Sequence, residues 1–147
     1  MVRDYDETAA IVSERVVVCI TAQHNSERLI DEAAALADRL DAELHILHVN
    51  KGESIFNTAD KPALLDMLFE YGSEKGGMVH MLCCDDVAKA IGDFIEEYNI
   101  TKIVLGEPPL KSLRDKGMES EFDRIFDMIK KKNIELIMVN RPEKVNV

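Results

Sequence analysis

The residues best suited to chemistry gather after the fourth hydrophobic segment, in the stretch "LGEPPLKSLRDKGM", where Lys111, Arg114 and Lys116 stand close together. An arginine can grip a phosphate through two parallel N–H donors, and lysines add less directional positive charge, so this loop is a candidate anion site. The same run also suits a solvated loop. After the first hydrophobic segment, "AQHNSE" carries His24, a titratable side chain suited to ligand contact, and Ser26, a natural helix N-cap. Cys83 and Cys84 with His80 raise metal or redox chemistry. Adjacent residues of a strand point to opposite faces, however, and no Cys-x2-Cys spacing completes a tetrahedral set, so strand-end thiols are the expectation. His45 and His48 fall on opposite faces of one strand and read as structural histidines, and Asp85 or Asp86 reads as a helix cap. No Walker A, G-x-S-x-G, H-E-x-x-H or G-x-G-x-x-G pattern occurs, and no enzyme is expected.

These residues belong to a chain of 147 with 46% hydrophobic and 31% charged residues, a balance that suits one globular domain. Residues 1–14 read as a polar N-terminal extension and 15–147 as the domain. The formal net charge of −10 repels polyanions, which argues against nucleic acid and acidic bilayers as partners. No apolar run approaches the ~18 residues of a membrane span, and "MVRDYDETAAIVSER" lacks the apolar core of a signal peptide, so the expected compartment is the cytoplasm. Three cysteines without metal-type spacing suit reduced thiols.

Five apolar segments read as strands: Arg15–Thr21, Glu43–Val49, Met78–Cys83, Lys102–Gly106 and Ile134–Asn140. Most are short and rich in Val, Ile or Leu, as strands covered on both faces must be. Helices alternate with them. Leu29, Ala33, Leu36, Ala37 and Leu40 make one stripe; Val87, Ile91, Phe94, Ile95 and Tyr98 a second; Met118, Phe122, Ile125, Phe126 and Ile129 a third. Another helix runs from about Pro62 to Lys75 and stops at Gly76-Gly77. This alternation predicts an α/β fold: an open, doubly wound, Rossmann-like five-stranded parallel sheet of order 3-2-1-4-5 with helices on both faces. A ligand would then bind beyond the C-terminal ends of strands 1 and 4, where the order reverses.

The segments "RVVVCITAQHNSERLIDEAAALADRLDAELHILHV" and "DDVAKAIGDFIEEYNITKIVLGEP" resemble the universal stress protein (UspA-like) family, and within it the stress-protein-type segment of the sensor kinase KdpD. The resemblance implies the adenine-nucleotide-alpha-hydrolase-like fold over about residues 15 to 140. Family members that bind ATP carry an Asp at the end of strand 1, backbone groups at the end of strand 2, and a Gly-x2-Gly-x9-Gly-Ser/Thr loop after strand 4. In this chain Thr21 takes the place of the Asp, Val49 closes strand 2, and Gly106 matches the first glycine. The second falls on Pro109, which has no N–H to donate, and the last can only be Gly117, two residues early and followed by Met118. Glu119, Glu121 and Asp123 then crowd the helix start and repel a triphosphate.

The resemblance therefore implies a non-catalytic stress-response regulator that binds a small anionic ligand or a regulatory protein partner through a degraded ATP loop. The alternative is an ATP- or AMP-binding protein with slow hydrolysis. No cofactor is certain, and an adenine nucleotide is the one to test. The candidate site comprises Thr21, His24, Ser26, Val49, Gly106, Arg114 and Gly117. The last strand, "IELIMVN", carries apolar residues on both faces at a sheet edge and is expected to form a homodimer.

Overall fold

The computed structural model describes residues 13–21, 26–50, 61–107 and 121–140. In chain order they form β1 (Arg15–Cys19), α1 (Ser26–Leu40), β2 (Glu43–Asn50), α2 (Lys61–Glu74), β3 (Met78–Cys83), α3 (Val87–Glu97), β4 (Lys102–Gly106), α4 (Glu121–Lys132) and β5 (Glu135–Val139). All the strand pairings are parallel and the sheet order is β3-β2-β1-β4-β5, as the alternation predicts. β1 stops at Cys19, two residues short of the expected end, although Ile20 still donates to the Leu47 carbonyl at 2.9 Å.

Each strand feeds both sides of the sheet. Val16, Val18, Leu44, Ile46 and Val104 pack with Leu29, Ile30 and Ala33 of α1 and Leu68 of α2. Val17, Leu47, Ile103 and Leu105 pack with Ala88, Ile91, Phe94 and Ile95 of α3 and Ile125 and Ile129 of α4. The three residues Val16, Val17 and Val18 are fully buried, which is why β1 reads as an unbroken apolar run rather than an alternating one.

The helices end on left-handed residues. Asp41, Asn99 and Asn133 have φ of 54°, 53° and 58°, and Gly76 has φ of 92°. Behind them Ala42, Gly77 and Ile100 donate to the carbonyls of Ala37, Gly72 and Ile95 at 2.8, 3.0 and 3.0 Å, which satisfies the last turn and aims the chain into the next strand. At the start of α3, Asp86 is the N-cap and accepts from the Lys89 amide at 3.1 Å, the role anticipated for Asp85 or Asp86. Lys130, Lys131 and Lys132 occupy the last turn of α4, where cations suit the helix dipole.

The N-terminal edge of the sheet is laced by polar contacts. Thr101 donates its hydroxyl to Glu14 Oε1 at 2.6 Å, Arg15 Nε meets Glu43 at 3.3 Å, and Lys102 meets Glu135 at 2.7 Å. Glu14, one residue before the expected domain boundary, is thus tied to the sheet.

Candidate functional site

β1 stands between β2 and β4, so the crossover to β2 leaves in one direction and the later elements extend the sheet in the other. That reversal separates α1 from α4 beyond the C-terminal ends of β1 and β4, the place where open α/β sheets hold ligands. The structure brings Thr21, Ser26 and Gly106 to this edge, with Val49 on the neighbouring β2. His24, Arg114 and Gly117 lie outside the described residues, as do Lys111, Lys116, Pro108, Pro109, Met118 and Glu119.

Ser26 is 2% exposed, and its hydroxyl serves the fold. Its oxygen accepts from the Thr21 amide at 3.2 Å and its O–H donates to the Thr21 carbonyl at 2.7 Å. One side chain thereby clasps the first turn of α1 to the end of β1. Thr21 is exposed as a result, with its backbone polar groups already used. A threonine hydroxyl can hydrogen-bond a ligand there, but it carries no charge.

His48, 7% exposed, sits beneath this clasp and its ring Nδ1–H donates to the Ile20 carbonyl at 2.9 Å. The tautomer follows from the acceptor it faces. Val49 is half-buried against the α3 side of the sheet. Gly106 ends β4, and a Cβ there would lie 3.2 Å from Leu29 Cδ1. Its missing side chain thus lets α1 close onto β4, a packing reason for glycine that needs no phosphate.

A cation that the motif search overlooked reaches the same edge. Arg28, in the first turn of α1, donates from Nη1 to the Asn140 carbonyl just past β5. Basic residues are usually unfavourable near a helix N-terminus, and that mismatch is the sequence signal that could have singled it out. The Asn50 side chain at the end of β2 has a buried Nδ2 with no partner among the described residues.

The thiols are quiet. Burial pushes Cys19 up to about 12, which leaves it a protonated thiol under ordinary conditions. Cys83 is exposed at the strand end and Cys84 donates to the Asp86 carbonyl at 3.4 Å. No cluster of three or more potential metal ligands occurs among the described residues.

His45 and His48 do face opposite sides of β2, but His45 is not alone. In the parallel register Leu47 lies beside His80, and the His45 and His80 rings stack with centroids 5.2 Å apart. His45 Nδ1 meets His80 Nε2 at 3.0 Å and His45 Nε2 meets Glu43 Oε1 at 3.1 Å. Phe94 of α3 and its C-cap residue Tyr98 cover the pair. Desolvation, with the neighbouring His45 charge, holds His80 below its ordinary 6.5, partly opposed by Glu97. Sequence reasoning weighed these histidines separately because strand register is a tertiary quantity.

Residues 13–142 match the family model described as "Universal stress protein family". The chain is 34% identical over 114 residues to the sensor protein KdpD of Mycobacterium tuberculosis; the match takes in 78% of this chain and 12% of that protein, so the chain spans about an eighth of its relative's length. Among solved structures, a universal stress protein in complex with cAMP superposes with a TM-score of 0.65 at 16% identity, covering 88% of this chain and 98% of that one. One from Archaeoglobus fulgidus in complex with dAMP gives a TM-score of 0.60 at 18% identity, with 87% and 98% covered. At these identities the superpositions establish the fold.

Proposed function

The chain belongs to the universal stress protein family, and from that premise we propose that it is a non-catalytic cytoplasmic regulator whose crevice beyond β1 and β4 takes a small anionic ligand. The observation that carries this reading is the exposed, uncharged Thr21 at the switch point, held open by the Ser26 clasp and sharing its edge with the Arg28 guanidinium. Those groups suit hydrogen bonding to an anion and supply no nucleophile paired with a base. Ligand-bound relatives with cAMP and dAMP support an adenine nucleotide as the second reading, with slow hydrolysis where a triphosphate is bound.

The grip on ATP is weak in this proposal. Thr21 offers no carboxylate to a ribose, and two prolines remove backbone donors from the loop after β4. Each missing charged or backbone bond costs about 1.5–3 kcal/mol, which puts ATP in the micromolar-to-millimolar range. Side chains of that loop, Arg114 above all, take over the anion, with His24 and Gly117 completing the site. Native mass spectrometry of freshly purified protein identifies any bound ligand, and calorimetry with ATP and cAMP before and after Arg114→Ala measures the grip. Nanomolar ATP affinity, or affinity indifferent to Arg114, overturns this reading.

The partner in the proposal is a second copy of the chain. β5 is an edge strand whose Leu136, Ile137 and Met138 are all half-buried, so both of its faces retain apolar surface to cover. Ile137→Lys is expected to shift a dimer to monomer in sedimentation at micromolar concentration. A wild-type monomer under those conditions refutes the dimer.

A further inference from the structure

We propose that the cavity between β3 and α3 is a second binding site, separate from the β1–β4 crevice, and that it takes a small organic cation with an N–H donor head and an apolar body. The cavity is about 380 Å³ and is walled by His80 and Cys84 on the sheet side and by Asp93, Phe94 and Glu97 of α3 with its C-cap Tyr98. Its size suits a ligand of one ring or a short chain.

The tautomers of the histidine pair follow from its partners. The Glu43 carboxylate accepts, so His45 Nε2 carries a proton and donates to it. His45 Nδ1 then bears a lone pair and accepts from His80 Nε2–H. In a neutral His80 the remaining nitrogen, Nδ1, is an acceptor. His80 lines the cavity, so this acceptor nitrogen is the group of the pair available to a donor there. Glu43 is itself anchored by Arg15 at 3.3 Å, so the relay is fixed from β1 through β2 to β3.

The rest of the wall has the same preference. Among the described residues no lysine or arginine lines the cavity. Glu97 is exposed at the C-terminal end of α3, where the helix dipole adds negative potential, and Asp93 lies one turn before it, bridged to Lys89 at 2.9 Å. Tyr98 and His80 present ring surface, with centroids 4.9 Å apart, backed by the 3% exposed Phe94. Aromatic faces beside carboxylates attract a cation, and the net charge of −10 favours its approach. An anionic ligand would meet two carboxylates and an acceptor nitrogen.

Proton uptake opposes binding at this site. The groups that act on the imidazole are His45 from β2, itself bonded to Glu43, and Glu97 from α3, with Phe94 and the C-cap Tyr98 against its ring; Cys84, just past β3, and Asp93 of α3 line the same cavity. His80 is held neutral by desolvation and His45, so its acceptor persists at neutral pH. Acidification converts that acceptor into a donor and adds a like charge.

Benzylamine is the probe, with benzyl alcohol as its uncharged counterpart, followed through the imidazole nitrogens by long-range proton–nitrogen NMR. Near pH 7.5 benzylamine is expected to shift the His80 ring saturably while benzyl alcohol binds at least about tenfold more weakly. Affinity should fall as the pH is lowered below 6.5 and through the depressed His80 pKa. Glu97→Gln, an exposed change that leaves the circular dichroism spectrum intact, should weaken binding about threefold. Absence of a saturable shift, shifts at the β1–β4 crevice in place of His80, equal affinity for benzyl alcohol, or an unaffected Glu97→Gln variant would each overturn the site.

Discussion

The two sides of the sheet are built from different materials. Beneath α1 and α2 the fully buried core is mainly aliphatic, edged by Phe69 and Tyr71, with Ile30, Ile46 and Leu68 fully buried and Ile46 pressed so close to α2 that a Cβ on Gly72 would fall 2.1 Å from its Cδ1. Beneath α3 and α4 the core adds a histidine pair and two aromatic rings, tied to the solvent edge through Glu43. The first side rests mainly on dispersion and hydrophobic burial, which do not depend on pH, and its one buried histidine, His48, is bonded to the Ile20 carbonyl. The second holds His80, whose pKa desolvation lowers from the ordinary 6.5. The same parallel sheet thus carries a single backbone-bonded histidine on one face and a stacked histidine pair on the other.

The largest test of this contrast is Leu68→Ala, which removes a side chain of zero exposure and should cost about 2–5 kcal/mol in urea unfolding. That cost should be the same near neutrality and in mild acid; a strong pH dependence would contradict a purely apolar role for Leu68. A smaller effect is expected at His80. Its folded pKa lies below the ordinary 6.5, so the unfolded chain binds the proton first. Stability should therefore be fully present above about pH 6.5 and decline as pH falls from there through the lower folded value. His80→Leu should flatten that decline in a series of melts. An identical decline in the variant would show that other groups are responsible.

The smallest expected effect is at the start of α3, where Asp86 joins that helix to α4. Its carboxylate is held below the usual range, first by the Lys89 amide and then by Arg124 at 2.9 Å, against the opposing effect of desolvation. Asp86→Asn keeps a capping oxygen and drops the charge, so it should lower the melting temperature less than Asp86→Ala. Equal losses in the two variants would assign the stability to the ion pair, and raised salt would then remove the difference from wild type.

The elements were legible because their causes are local. Unbroken apolar runs such as Val16-Val17-Val18, stripes such as Leu29, Ala33 and Ala37, and the stop at Gly76-Gly77 all reflect dihedral preferences and one-dimensional periodicity. The strand order also followed, since alternating strands and helices restrict a parallel sheet to few windings. The candidate site was only partly legible. Thr21, Ser26 and Gly106 were placed at the correct edge, yet Ser26 proved to be a clasp between β1 and α1, and Gly106 proved to have a packing reason in Leu29. Arg28 went unnoticed because its partner, the Asn140 carbonyl, lies 112 residues away.

By itself, then, the sequence determined the α/β alternation and the family, because each of these is written in nearby residues. Only the tertiary structure decided that His45 and His80 meet, that Glu43 anchors them, and that α3 closes a cavity over them. Those outcomes depend on the register of β2 against β3 and on the docking of a helix, and register is set by the packing of both faces at once.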